Sequence, residues 1–396
     1  MVAGEDPMSD LTAAVLFLGV VLYGVLGGAD FGAGFWDLTA GGVERGRRPR
    51  QLIDATMAPV WEANHVWLIF SLVVLWTGFP SAFQAVMSTL YVPLWLAALG
   101  IVLRGSGFAF RKMVVRAAPQ RIYSAAFAVS SVVTPFCFGA VAGGVASGRV
   151  PANGGGDPLT SWVNPTSILG GSLAVAVCAY LAAIFLTADA RSHRDHELEA
   201  WFRRRALGAS VVAGAVSLVG IAVLHADARR LFERLSGPGL PFVLASAVTG
   251  LAALLLLRSV APHTVRILAV AAVSAVLCGW GAAQFPYLLG THLSVSEGAA
   301  PRPTLVAIMV VLAAAAVLCG PSLALLYLLH ERGRLDDEPL IGQRSSVEPS
   351  GDESHEDESH EDESHEDESH AEQMTGRFAH RIRRAEFAAF RRYRLF

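Results

Sequence analysis

Long runs of apolar residues, separated by short polar stretches, form the main pattern of this chain. Nine runs reach about 18 residues or more, the length that an α-helix needs to cross a bilayer. They lie at residues 11–36, 57–79, 82–103, 122–146, 167–188, 206–224, 240–257, 267–289 and 305–329. The pattern predicts an all-α polytopic membrane protein with about nine transmembrane helices.

Composition and the N-terminal segment support this prediction. Of 396 residues, 53% are hydrophobic and 16% are charged, and the mean hydropathy is +0.46. Ordinary soluble domains carry roughly 25% charged residues, so the composition excludes that class. The first ten residues, MVAGEDPMSD, are acidic, whereas a cleavable signal peptide begins with positive charge. We therefore expect the first span to be retained.

The distribution of basic residues predicts the orientation. Sixteen Lys and Arg residues lie in the stretches after the first, third, fifth and seventh spans, and five lie in the alternate loops. Cytoplasmic loops carry the excess of positive charge. The N-terminus is therefore expected outside and the C-terminus in the cytoplasm, which requires an odd number of spans.

The cysteines give no sign of a metal centre. All four lie in predicted spans and none forms a CxxC pair: Cys137, Cys178, Cys278 and Cys319. Zinc, iron–sulfur and covalent haem sites therefore lack support, and we expect these residues to serve packing.

The chain divides into three predicted parts: a transmembrane domain (1–331), an acidic linker (332–375) and a basic segment (376–396). The linker contains DESHEDESHEDESHEDESH and is predicted to be disordered because it has almost nothing to bury. Its histidines are weak candidates for divalent metals: His355, His360, His365 and His370. The basic segment suits either an anionic lipid surface or the acidic tract.

Very few ionisable residues fall inside the spans, and such residues mark function by default. They are Asp30 in the first span, Glu62 and His65 at the start of the second, and Arg104 at the end of the third. The predicted topology brings all four to one depth near the cytoplasmic face. Glu62 and His65, three residues apart, share a helix face.

Two interpretations of this cluster remain open. A buried ion pair of Asp30 or Glu62 with Arg104 would fix helix register. Alternatively, buried carboxyl groups would accept and pass protons. Gly28 and Gly32 add a small surface that lets a neighbouring helix approach Asp30 closely.

Haem ligation inside a bilayer needs a histidine or methionine at depth. His65 is the only histidine well inside a span. We therefore expect no haem to be bound by this chain.

Three ordered motifs resemble subunit II of cytochrome bd-type quinol oxidases. They are GGADFGAGFWDL (27–38), APVWEANHVWLIF (58–70) and LRGSGFAFR (103–111). The resemblance implies two four-helix bundles plus one peripheral helix. It also implies a partner, subunit I, that carries haems of the b and d types and the quinol site. The complex would oxidise quinol and reduce dioxygen to water, electrogenically, with protons taken from the cytoplasm.

The resemblance also suggests roles for single residues. Glu62 matches the family's acid for proton delivery, and Asp30 matches the second acid of the motif DGFD. Trp67 matches a tryptophan near the proposed oxygen route, and Arg104 matches the arginine after the third span. His65 is counted with Trp67 and Arg104 as a supporting residue.

The chain departs from the family pattern at three positions. Glu62 stands where the family usually has Asp, Gly27 replaces the first acid of DGFD, and His65 is an unusual choice. These changes indicate a divergent branch.

Two other functional hypotheses compete with that of a quinol oxidase subunit. Intramembrane acids and glycine-interrupted helices also occur in proton-coupled transporters, although here no second half repeats the acids. A structural scaffold is the third hypothesis. We expect the chain to lie in the bilayer beside subunit I and to bind no nucleic acid. Whether a small accessory subunit joins them is an open alternative.

Overall fold

A computed structural model of the chain describes residues 6–57, 61–113, 117–192, 194–257, 259 and 261–331. The helices are α1 (Pro7–Leu38), α2 (Val43–Met57), α3 (Trp61–Gly78), α4 (Pro80–Thr89), α5 (Tyr91–Met113), α6 (Ala117–Ala146), α7 (Pro165–Ser192), α8 (His196–Asp227), α9 (Arg229–Ser236), α10 (Leu240–Leu256), α11 (Pro262–Gln284), α12 (Val295–Gly298) and α13 (Arg302–Glu331). Two short strands, β1 (Tyr287–Leu289) and β2 (Leu293–Ser294), pair antiparallel.

The described residues fall into two units. The first runs to Met309 and contains every described residue of the candidate site. The described part of the second, residues 310–331, is the C-terminal part of α13.

Helix length and apolarity confirm a mostly helical, membrane-spanning architecture. Five helices in the described part of the chain are long and apolar enough to cross a bilayer: Pro7–Leu38, Ser124–Ala146, Pro165–Arg191, His196–Asp227 and Thr264–Gln284. Two bent helix pairs raise the number to seven, and two shorter apolar helices cover Tyr91–Gly107 and Arg302–Leu318. The number nine and the two-bundle layout stay predictions.

The third predicted span has the wrong start. Residues 82–89 belong to α4, which bends by 116° away from α3, and α5 begins only at Tyr91. Pro80 and Pro93 lie in the first turns of α4 and α5. Proline is tolerated there because first-turn N–H groups have no helical acceptor.

The eighth predicted span, 267–289, extends too far. Helix α11 ends at Gln284, and residues Tyr287–Leu289 form β1. Pro286 explains the difference, because proline disfavours helix in the residue before it and cannot donate a helical hydrogen bond. The arginine-rich stretch after the first span, read as a loop, contains α2.

Helix α7 lies in the main core of the first unit, packed against α1, α6 and α8. Glycines allow the closest approach. A Cβ atom at Gly32 would lie 1.8 Å from the carbonyl oxygen of Cys178, whereas one at Gly28 would make ordinary contacts at 3.5 Å or more. The backbone of α1 therefore lies directly on that of α7, and Asp30, between these glycines, is only 1% exposed.

Candidate functional site

Asp30 is held by a neutral partner. Its Oδ2 accepts a 2.7 Å hydrogen bond from Nδ2 of Asn64, and the same amide lies 3.4 Å from the carbonyl oxygen of Leu26. Oδ1 of Asp30 is buried and has no hydrogen-bond partner among the described residues. One oxygen of the carboxyl group is thus fixed and the other is available.

Arg104 is buried beside Asp30 but binds its backbone. Nη2 donates to the carbonyl oxygen of Asp30 at 2.6 Å, and Nη1 donates to the hydroxyl of Ser131. The guanidinium carbon lies 5.0 Å from the centre of the Phe31 ring and 4.6 Å from that of Phe127. No ion pair between Arg104 and the Asp30 carboxylate is present in the described structure, so the predicted ion pair of these two residues is not formed.

The absence of a side chain at Gly34 leaves the space that the Arg104 guanidinium group occupies. A Cβ atom there would lie 2.0 Å from Oγ of Ser131 and 2.8 Å from Nη1 of Arg104. Because Gly34 has no side chain, Arg104 of α5 and Ser131 of α6 can contact each other directly beside the backbone of α1.

The remaining predicted site residues lie on α3. The His65 ring packs edge-on against those of Tyr23 and Phe31, with ring centres 5.9 and 6.0 Å apart. Trp67 packs against Phe70 at 5.8 Å. Glu62 belongs to α3, but its side chain lies outside the described residues. The structure thus brings Asp30, Arg104 and α3 together and gives Trp67 no contact with Asp30 or Arg104 that the described side chains record.

Sequence reasoning missed four residues of this site: Tyr23, Phe31, Phe127 and Ser131. Ser131 offered a weak signal, since a polar residue within an apolar span often faces another helix. The aromatic residues offered none, because they look like ordinary apolar positions of a span.

A second buried polar cluster lies at α7. Arg266 of α11 donates to Oδ1 of Asp189 at 2.6 Å and to the carbonyl oxygen of Phe185 at 2.9 Å. The Thr56 hydroxyl of α2 lies 3.4 Å from Oδ2 of Asp189. Here arginine and carboxylate meet directly.

No group of three or more His, Cys, Asp or Glu side chains suited to a metal ion occurs within the described ranges. The four tail histidines proposed as weak metal candidates lie outside those ranges, as do the whole linker and the whole basic segment. Their predicted roles stay untested.

Comparison with known families decides the identity. The model of the family "Cytochrome bd terminal oxidase subunit II" matches residues 8–330. The chain belongs to this family. The resemblance recognised from three motifs is therefore confirmed across the helical part of the chain, and the protein is a multi-pass membrane protein.

Curated relatives match in part. Cytochrome bd ubiquinol oxidase subunit 2 of Bacillus subtilis (strain 168) is 28% identical over 180 residues, 45% of this chain and 51% of that protein. Cytochrome bd-I ubiquinol oxidase subunit 2 of Escherichia coli (strain K12) is 29% identical over 140 residues, 35% of this chain and 36% of that protein. The matched segment thus spans about half or less of the length of these relatives.

A solved structure matches the fold more fully. A chain in the structure of bd oxidase from Geobacillus thermodenitrificans aligns with a TM-score of 0.65 at 22% identity, covering 82% of this chain and 98% of that chain. At this identity the match describes the fold.

Proposed function

We propose that this chain is the haem-free subunit II of a cytochrome bd-type quinol oxidase and supplies a proton path from the cytoplasm. A partner, subunit I, would carry the haems and the quinol site, and the complex would reduce dioxygen to water. The family match over residues 8–330 is the observation that carries the assignment.

The contacts of Asp30 support the proton path. A carboxyl group that hands protons on needs an oxygen free to accept and release them. Asp30 has a fixed Oδ2 and an available Oδ1. Arg104 stabilises negative charge nearby without occupying either carboxylate oxygen. Glu62, two residues before Asn64 on α3, would feed this group from the cytoplasmic side.

The surroundings of His65 support placing the haems in the partner. An axial ligand needs room for a porphyrin beside its imidazole. The rings of Tyr23 and Phe31 lie edge-on against the His65 ring instead. We assign His65 to the packing around Asp30.

The first test is a reduced-minus-oxidised absorption spectrum of the material purified in mild detergent through a tag on this chain. We expect haem bands and a second polytopic subunit. A single haem-free chain, from cells that express the partner, would refute the assignment and favour a proton-coupled transporter, which uptake into liposomes would then reveal.

The second test addresses the path itself. Glu62→Gln removes the titratable proton and keeps the side-chain length. We expect slower oxygen consumption at saturating quinol with the haem content unchanged. An unaltered rate would remove Glu62 from the path.

A further inference from the structure

Tyr23 places a buried hydroxyl close to this site. Its ring lies against Gly27, where a Cβ atom would be 2.8 Å from Cε2 of Tyr23. The ring also meets Phe31, eight residues further along α1, with ring centres 6.4 Å apart. The Tyr23 side chain therefore runs along α1 towards Asp30, which lies two turns, or about 10.5 Å of helix rise, beyond Tyr23.

The ring of Tyr23 is fixed from three helices. Besides Phe31 on α1, it packs edge-on against His65 of α3 and Phe138 of α6, each with ring centres 5.9 Å apart. Edge-to-face packing of this kind holds a ring in one orientation. The position of the hydroxyl is therefore well defined.

Both the Tyr23 hydroxyl and Oδ1 of Asp30 lack a hydrogen-bond partner among the described residues, although both atoms are buried. Buried polar groups are normally paired with protein or with ordered water. Tyr23 and Asp30 are seven residues apart and share one face of α1, so the two groups together can offer a water the two or more partners that it needs.

We propose that the Tyr23 hydroxyl and Oδ1 of Asp30 bind ordered water between them, and that this water continues the proton path beyond Asp30. The inference rests on the proposed function and adds a positioning residue to it. Gly27 is needed for this arrangement of Tyr23 and Asp30, because a side chain there would displace the tyrosine ring.

Proton transfer through this unit balances without any ionised tyrosine. A proton leaves Oδ1 of Asp30 for the bound water while the water gives up another proton towards the oxygen-reducing site proposed in subunit I, so the water stays neutral, and Asp30 regains a proton from the side of Glu62. The Tyr23 hydroxyl holds this water by a hydrogen bond and keeps its own proton. Other titratable or charged groups around Tyr23 are Arg104 of α5, Cys178 of α7 and His65 of α3.

Tyr23→Phe tests the proposal, because it removes the hydroxyl and keeps the ring contacts. Tyr180→Phe is a matched control. Tyr180 is also buried and its hydroxyl also lacks a partner among the described residues, but it lies on α7, and none of the hydrogen bonds or ring contacts of the described residues joins it to Asp30 or Arg104.

The tagged complex of each variant is measured for haem content, oxygen consumption per haem in H2O and D2O, and the infrared carbonyl band of protonated Asp30, identified by its loss in Asp30→Asn. For Tyr23→Phe we expect full haem content, a rate lower by about five-fold or more, a larger solvent isotope effect and a shifted band. The five-fold figure corresponds to one hydrogen bond of about 1 kcal/mol. Tyr180→Phe should match the parent complex in all three readouts.

The outcomes separate this inference from the proposed function. If Tyr23→Phe has the parent rate and the parent carbonyl band while Asp30→Asn is slow, the proposed role of Tyr23 is wrong and the proton path through Asp30 is retained. If Asp30→Asn and Glu62→Gln also retain the parent rate, the path itself is wrong. If Tyr23→Phe and Tyr180→Phe slow the enzyme equally with no band shift, the tyrosine effect is one of packing.

Discussion

An aspartate and an arginine lie side by side at two buried places in this chain, and the two places differ in which group of the aspartate the arginine contacts. At Asp189, Arg266 contacts the carboxylate directly at 2.6 Å. At Asp30, Arg104 contacts the backbone carbonyl, and the carboxylate is held by the neutral amide of Asn64. The residue types are the same, but only one of the two carboxylates is neutralised by a direct partner.

We propose that this difference separates a structural pair from a carboxyl group that carries protons. A buried carboxylate that is paired with arginine stays charged and loses its freedom to exchange protons. A carboxylate with one free oxygen and a positive charge close by keeps that freedom. Direct pairing with arginine is observed at Asp189, whereas proton handling is the role that we propose for Asp30.

The largest effect is expected from Gly32→Ala, which disrupts the close packing of α1 on α7 around Asp30. The added methyl group would lie 1.8 Å from the carbonyl oxygen of Cys178, so α1 and α7 must separate. We expect loss of folded protein, seen as loss of the monodisperse peak in fluorescence-detected size-exclusion chromatography. Gly28→Ala, with ordinary contacts at the same interface, should retain the peak, and equal behaviour of the two variants would contradict this packing.

Arg266→Gln is expected to act on stability. It removes the arginine that contacts the buried Asp189, and breaking a buried pair in this way typically costs about 3–5 kcal/mol, which corresponds to a lower Tm by roughly 5–10 °C. Replacing both residues, by Asp189→Leu and Arg266→Met, should recover most of the loss, because neither charge then remains buried. A double variant less stable than Arg266→Gln would show that the pair is needed for more than mutual neutralisation.

Asn64→Ala should have a moderate effect on activity. It removes the hydrogen bond to Oδ2 of Asp30, and a loss of about 1 kcal/mol corresponds to a rate lower by about five-fold. The measurement is oxygen consumption per haem. Asn164→Ala, which removes another buried amide with contacts only in its own loop and helix start, should leave that rate unchanged, and an effect of equal size would count against a specific role for Asn64.

Arg48→Ala should have almost no effect. Arg48 pairs with Asp195 and Glu197 at the surface, and its side chain is 53% exposed. Exposed pairs contribute little. The backbone N–H of Leu198, together with Arg48, holds the pKa of Asp195 below its ordinary value, so the helix cap persists without the arginine. A fall in Tm as large as that of Arg266→Gln would remove the contrast between buried and exposed pairs.

The depth of the polar residues could be predicted from the sequence, whereas their pairing could not. Hydropathy and the distribution of arginines placed Asp30 and Arg104 at one level with the start of the second span, and the structure brings Asp30 into contact with Arg104 and with Asn64 of α3. Which oxygen Arg104 contacts depends on the rotation of α5 against α1 and on Ser131 of α6. These are tertiary relations that hydropathy along one chain does not contain.

The same limit applies to Tyr23 and to the helix bends. A tyrosine in an apolar span looks like a packing residue until Gly27 and the rings of His65 and Phe138 show where its hydroxyl points. Pro80 marks a helix start in the sequence, but the size of the bend before it, 116°, is seen only in the structure.

The central claim is that Asp30 carries protons and Asp189 does not, and the most direct measurement is oxygen consumption per haem at saturating quinol in Asp30→Asn and Asp189→Asn. If Asp189→Asn does not assemble, Asp227→Asn, at another arginine-paired aspartate, takes its place. We predict a rate for Asp30→Asn lower by about ten-fold or more, in line with the loss of an acid–base group, and a control rate close to that of the parent complex. Equal rates per haem in the two variants would contradict the account.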